Sequence, residues 1–91
     1  MPKYKVLVHR KVYKFLSELT DSSLKKTIKE YVELLSDYPL SLKEIDIEKI
    51  QGLKDTFRLR IGKHRVIFFV DKPNATIYVT GIKARKRAYS K

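Results

Sequence analysis

The sequence predicts an α+β fold: an N-terminal strand, then an antiparallel two-helix hairpin packed on one face of a largely antiparallel β-sheet. Three observations lead there. Two stretches in the first half, His9 to Leu19 and Leu24 to Asp37, repeat apolar residues at helical spacing. Phe57 to Ile61 alternates apolar and basic residues, the period of a strand with one buried face. Gly62-Lys63 then separates it from His64 to Val70, a run rich in β-branched and aromatic residues. A two-residue break with Gly first is a type II′ hairpin signal.

In order, Tyr4 to Val8 reads as the first strand. The first helix presents Val12, Phe15, Leu16 and Leu19 on one side. His9, at the junction, caps or packs. Thr20-Asp21-Ser22-Ser23 is a break and an N-cap cluster. The second helix carries a stripe of Leu24, Ile28, Tyr31, Leu35 and Tyr38, with Lys25, Lys26, Lys29, Glu30 and Glu33 opposite. So short a break between helices predicts an antiparallel pair. Pro39 ends the second helix. The mixed stretch Leu40 to Lys49 leads into a short strand around Ile45 to Ile50, and Gln51-Gly52 is a turn. After the hairpin, Asp71-Lys72-Pro73-Asn74 turns the chain again, and Ala75 to Ile82 is the last strand.

The hairpin turn sets a register. With Gly62-Lys63 at its tip, Ile61 faces His64, Arg60 faces Arg65 and Leu59 faces Val66. Arg58, Arg60 and Arg65 then share one face; Phe57, Leu59, Val66 and Phe68 share the other, which the helices cover. Like charges directly opposite in a sheet are destabilising. Two guanidiniums in that arrangement point to a face kept for an anion, and an arginine fork suits phosphate oxygens.

Composition narrows the partner. The chain has 91 residues and a formal charge of +11, so it is one small domain with a strong positive field. Nucleic acid is the first partner class to consider, ahead of an acidic protein or an anionic membrane surface. No apolar run reaches the length of a membrane span, and the polar start, Met-Pro-Lys-Tyr-Lys, does not read as a signal peptide. A cytoplasmic protein is expected. There is no cysteine, and there are only two histidines, so no metal site and no cofactor is expected. The chain closes on Lys83-Ala84-Arg85-Lys86-Arg87-Ala88-Tyr89-Ser90-Lys91, five basic residues and no acidic one in nine. Two readings stay open for it: a disordered basic terminus, or a segment folding back to bring Arg85 and Tyr89 to the arginine face. A tyrosine among arginines suits base stacking beside phosphate contact.

Three segments together carry a resemblance: Lys49-Ile50-Gln51-Gly52, then Phe57 through Phe68, then Arg85-Lys86-Arg87-Ala88-Tyr89. In this order and spacing the chain resembles the RelE family of toxin–antitoxin ribonucleases, within the wider RelE/ParE superfamily, and it is similar in composition to archaeal members. The resemblance implies one RelE-like domain over residues 1–91, of the microbial ribonuclease type, with 84–91 a basic C-terminal segment. It implies a toxin that enters the ribosomal A site and cuts mRNA without a metal. The ribose 2′-hydroxyl would attack the adjacent phosphate, leaving a 2′,3′-cyclic phosphate and a 5′-hydroxyl end.

Carried over by motif, Arg58 and Arg60 stand where the family has two strand lysines, and Arg65 at its transition-state arginine. Lys83 stands, by spacing, at a leaving-group arginine; Arg85 is a second basic position of the tail, and Tyr89 matches the tyrosine that stacks on a base. Lys63, Lys86 and Arg87 would add RNA contacts. The resemblance also implies an acidic RelB-like antitoxin, with ribosome and mRNA as the other partners. Arginine for lysine matters here, because arginine does not release its proton and Arg60 is a poor general base. Lys83 could serve if arginines surround it, and His64 has a suitable intrinsic range but points away from Arg65. The acid and base therefore stay open. So do two other readings: a ParE-like inhibitor of DNA gyrase, and a non-catalytic ribosome- or RNA-binding module.

Overall fold

His9 both ends the first strand and starts the first helix. Its backbone is extended, and its Nδ1 accepts a hydrogen bond from the Lys11 N–H at 3.0 Å, which satisfies one of the donors a helix start leaves open. In the computed structural model, which describes residues 4–38 and 46–84, the elements are β1 (Lys5–Val8), α1 (Arg10–Ser17), α2 (Ser22–Leu34), β2 (Ile47–Lys49), β3 (Thr56–Ile61), β4 (His64–Asp71) and β5 (Thr76–Ala84). Asp21 caps α2, its Oδ1 accepting from the Leu24 N–H at 3.0 Å. The α-helix stops at Leu34, and its last turn tightens into a 3₁₀ turn, Leu35–Asp37. That turn holds the start of the chain, since Tyr4 N–H donates to the Ser36 carbonyl at 3.0 Å.

The sheet order is β1-β5-β4-β3-β2. Three pairings are antiparallel; the fourth, β1 with β5, is parallel. This makes the sheet mixed, with the first strand of the chain at one edge beside the last. The predicted hairpin register holds: Ile61 faces His64, Arg60 faces Arg65 and Leu59 faces Val66. Gly62 has φ of 61°, the left-handed value a type II′ turn needs at its first central position. The short strand expected near Ile45 to Ile50 is β2.

One face of the sheet carries the core. Leu59, Ile61, Val66, Phe68, Val70, Ile77 and Val79 meet Val12 and Leu16 of α1, Ile28 of α2 and Leu35. Phe68 is fully buried and stacks on Phe57, ring centroids 5.4 Å apart. The predicted helix stripes are the ones that face inward. The other sheet face is not covered by either helix.

The last strand differs from expectation in an informative way. It runs two residues past Ile82, to Ala84, and it contains a β-bulge. Ile67 pairs with Gly81, but Phe68 pairs with Val79, so Thr80 is an extra residue. Side chains in a strand alternate between faces. Ile77 and Val79 point to the core, and unbroken alternation would send Lys83 there too. The extra residue reverses the phase: Ile82 turns inward and Lys83 outward.

Candidate functional site

The uncovered face is built from alternate residues of β2 to β5. Two adjacent rows cross it. In one, Arg60, Arg65 and Lys83 stand side by side on β3, β4 and β5; in the other, Glu48, Arg58, Ile67 and Gly81 do. Arg60 N–H donates to Asp46 on the β2 side at 2.9 Å, so its backbone groups turn away from β4. Arg60 and Arg65 are therefore a non-hydrogen-bonded pair, with Cα atoms about 4.5 Å apart and side chains at their closest. Nothing in folding favours three cations in a row at this spacing. Their placement follows from the II′ turn, which fixes Arg60 against Arg65, and from the bulge, which rotates Lys83 into line.

Two carboxylates come with them, from the segment the sequence left least legible. Glu48 accepts a hydrogen bond from the Arg58 guanidinium at 2.9 Å, and Asp46 lies 3.4 Å from Arg60 Nε. Arg58 and Arg60 thus each have an internal counter-ion. Among the described residues Arg65, Lys63 and Lys83 make no ion pair. Asp46, Glu48, Arg58, Arg60, Gly62, Lys63 and Arg65 line one pocket of about 390 Å³. The Arg58 hydrogen bond, and then its charge, hold the Glu48 carboxyl below its ordinary range; the charge of Arg60 helps, desolvation opposes, and Arg65 adds the smallest pull.

Chemically, the pocket can take an anion on Arg65 and Lys63, with Lys83 beside Arg65 and Arg58 and Arg60 able to exchange a carboxylate for a phosphate oxygen. It also holds two proton acceptors, which sequence reasoning did not single out. A signal was present: Asp46-Ile47-Glu48 alternates acid with apolar, as Arg58-Leu59-Arg60 alternates base with apolar, and such segments pair as neighbouring strands.

His64 lies on the other side of the sheet. Its ring packs edge-on against Phe15, centroids 5.8 Å apart, and its Nδ1 is buried with no hydrogen-bond partner among the described residues. That is a core-edge histidine, as its strand position implied. Of the residues singled out in the sequence, Arg58, Arg60, Lys63, Arg65 and Lys83 come together. Arg85, Lys86, Arg87 and Tyr89 lie outside the described residues. Among the described residues no cluster of His, Asp and Glu could hold a metal ion, and no helix is long and apolar enough to cross a membrane.

The family model described as "ParE toxin of type II toxin–antitoxin system, parDE" matches residues 6–89. A Methanocaldococcus jannaschii protein named toxin RelE1 is 37% identical over 87 residues, 96% of each chain. Among solved structures, the archaeal RelE–RelB complex of Pyrococcus horikoshii contains a chain 30% identical, with a TM-score of 0.78 over 93% of this chain and 98% of that one. The RelB–RelE antitoxin–toxin complex of Methanococcus jannaschii gives 25% identity and 0.72, covering 91% and 94%.

Proposed function

The chain belongs to the RelE/ParE family of type II toxin–antitoxin toxins, and from that premise we propose that it is a ribosome-dependent endoribonuclease. It cleaves mRNA in the ribosomal A site by attack of a 2′-hydroxyl on the neighbouring phosphate, and so blocks translation. The observation that carries this reading is the row Arg60–Arg65–Lys83, beside a pocket that also holds Glu48.

The reaction needs positive charge around a phosphorane-like transition state, a group to take the 2′-proton and a donor for the departing 5′-oxygen. Arg65 supplies the charge, because it is the pocket arginine without a carboxylate of its own among the described residues. Arg58 and Arg60 join it as the phosphate displaces Glu48 and Asp46. The displaced Glu48 carboxylate is then free at the mouth of the same pocket. It takes the proton that arginine cannot, which resolves the difficulty raised by arginine at both lysine positions. Lys83 protonates the leaving oxygen. Arg85, Lys86, Arg87 and Tyr89 contribute RNA contacts from the basic tail, and Lys63 does so from the turn. An acidic RelB-like antitoxin suits the +11 charge of the toxin and holds it inactive; the relatives from Pyrococcus and Methanococcus were crystallised with RelB.

Primer extension on mRNA from a cell-free translation reaction tests the proposal. New 5′-hydroxyl ends within translated codons are expected when the protein is added, and none when ribosomes are omitted. The match to the ParE description supports a second reading, inhibition of DNA gyrase. Intact mRNA together with blocked supercoiling by purified gyrase would favour it.

A further inference from the structure

The uncovered face does not end at the arginines. Further along the same strands Phe69 pairs with Tyr78, and Tyr78 with Leu7. These three are the large apolar side chains this face leaves most open, at 36%, 37% and 41%. The rings of Phe69 and Tyr78 stack at 6.3 Å between centroids, only 23° from parallel. Near-parallel and on adjacent strands, they form one continuous, half-exposed aromatic patch. Between this surface and the Arg65–Lys83 row stand Ile67 and Gly81. A Cβ built on Gly81 would meet nothing within 4 Å, so the strip between the two ends is low and open on its β5 side. Along β4 the distance from Arg65 to Phe69 is four residues, about 13 Å. An extended single strand crosses that span in a couple of nucleotides.

We propose that the Phe69–Tyr78 pair is a base-stacking platform, so that the uncovered face is a short single-stranded RNA track running from the phosphate site at Arg65 to a stacked base beyond Gly81. The inference rests on the ribonuclease reading and adds to it a second anchor on the substrate. Aromatic surface beside a basic row is how sequence-tolerant single-strand binding is built, because every base has a face to stack. An apolar protein segment would need the patch but would gain nothing from Arg65 and Lys83. RNA uses both ends of the strip.

The test is a length series of 2′-O-methyl oligonucleotides, two to six residues long, which lack the attacking hydroxyl and stay intact. With wild type, affinity should rise beyond the dinucleotide more than added charge explains. Tyr78→Thr and Phe69→Thr keep strand propensity and should erase that gain, weakening hexamer binding about fivefold to a hundredfold while leaving the dinucleotide and the salt slope unchanged. Tyr78→Phe should bind like wild type. A 2-aminopurine scan with wild type alone, which needs no variant to fold, should show one strongly quenched base away from the end held at Arg65. Wild-type affinities in both threonine variants, with binding still lost in Arg65→Gln, would overturn the platform and leave the nuclease reading standing. The same holds if no base is quenched, or if the threonine variants lose only a protein partner. Binding indifferent to Arg65→Gln as well as to length would overturn both.

Discussion

Replacing Arg65 by Gln should separate stability from activity in opposite directions. Arg65 stands beside Arg60 on one strand and Lys83 on the other. The Arg60 contact is a non-hydrogen-bonded pair, where side chains come closest. Each such like-charge neighbour costs roughly 0.2–1 kcal/mol, and the attraction of Arg65 to Glu48 offsets part of it. Glutamine keeps most of the aliphatic stem over the sheet and removes only the charge. The net effect on folding should lie between zero and about 1 kcal/mol of stabilisation. For a domain of 91 residues that means a Tm unchanged or up to about 8 °C higher. The same substitution removes the pocket arginine that has no carboxylate of its own among the described residues, and loss of one such group commonly lowers the rate about 100- to 1,000-fold. Thermal unfolding by circular dichroism and primer extension on ribosomes, run on one preparation, supply the two numbers. A Tm several degrees lower would mean that Arg65 is part of what holds the sheet together. Cleavage within tenfold of wild type would mean that the phosphate lies elsewhere.

Three further outcomes are expected. Glu48→Gln should slow cleavage at least about a hundredfold without unfolding the protein. Because the folded-state pKa of Glu48 is lowered, its stabilising effect is present above the ordinary carboxylate range and is lost as pH falls through the depressed value. Unfolding curves of wild type and Glu48→Gln should therefore differ near neutral pH and converge in acid. Gly62→Ala forces a Cβ into the left-handed region and should cost about 1–2 kcal/mol, read as a Tm lower by about 4–16 °C, with activity falling because the turn sets the Arg60–Arg65 register. Chelation of transition metals should leave cleavage unchanged when ribosomes keep their magnesium; loss of activity restored by one added metal would contradict catalysis by arginines and a carboxylate.

The parts of the fold legible in advance are those where period and punctuation agree. The β3–β4 hairpin is the clearest, because Gly62-Lys63 admits one register and every cross-strand partner follows. Helix starts were legible from Asp21 and His9, since a cap is a local interaction. The rest depended on non-local choices. β2 is three residues long, too short for a period of its own, so the arrival of Asp46 and Glu48 beside the arginines was decided by pairing with β3. The bulge at Thr80 was hidden because an extra residue leaves no mark except a broken alternation, Ile77, Val79, then Ile82, which reads as an ending strand. The parallel pairing of β1 with β5 joins the two ends of the described chain, and no local signal encodes it.

That broken alternation makes strand phase, as much as residue identity, a determinant of the chemistry. If Thr80 stayed but the bulge were ironed out, Lys83 would exchange places with its neighbours and enter the layer where Ile82 now packs. No side chain would have been altered, yet the basic row would lose its third member and the core would gain an ammonium group. Deleting Thr80, by contrast, would straighten β5 and leave Gly81 opposite Ile67, Ile82 inward and Lys83 outward. A library scanning substitutions and the deletion at Thr80, a position facing solvent, would separate the phase from the residue that sets it.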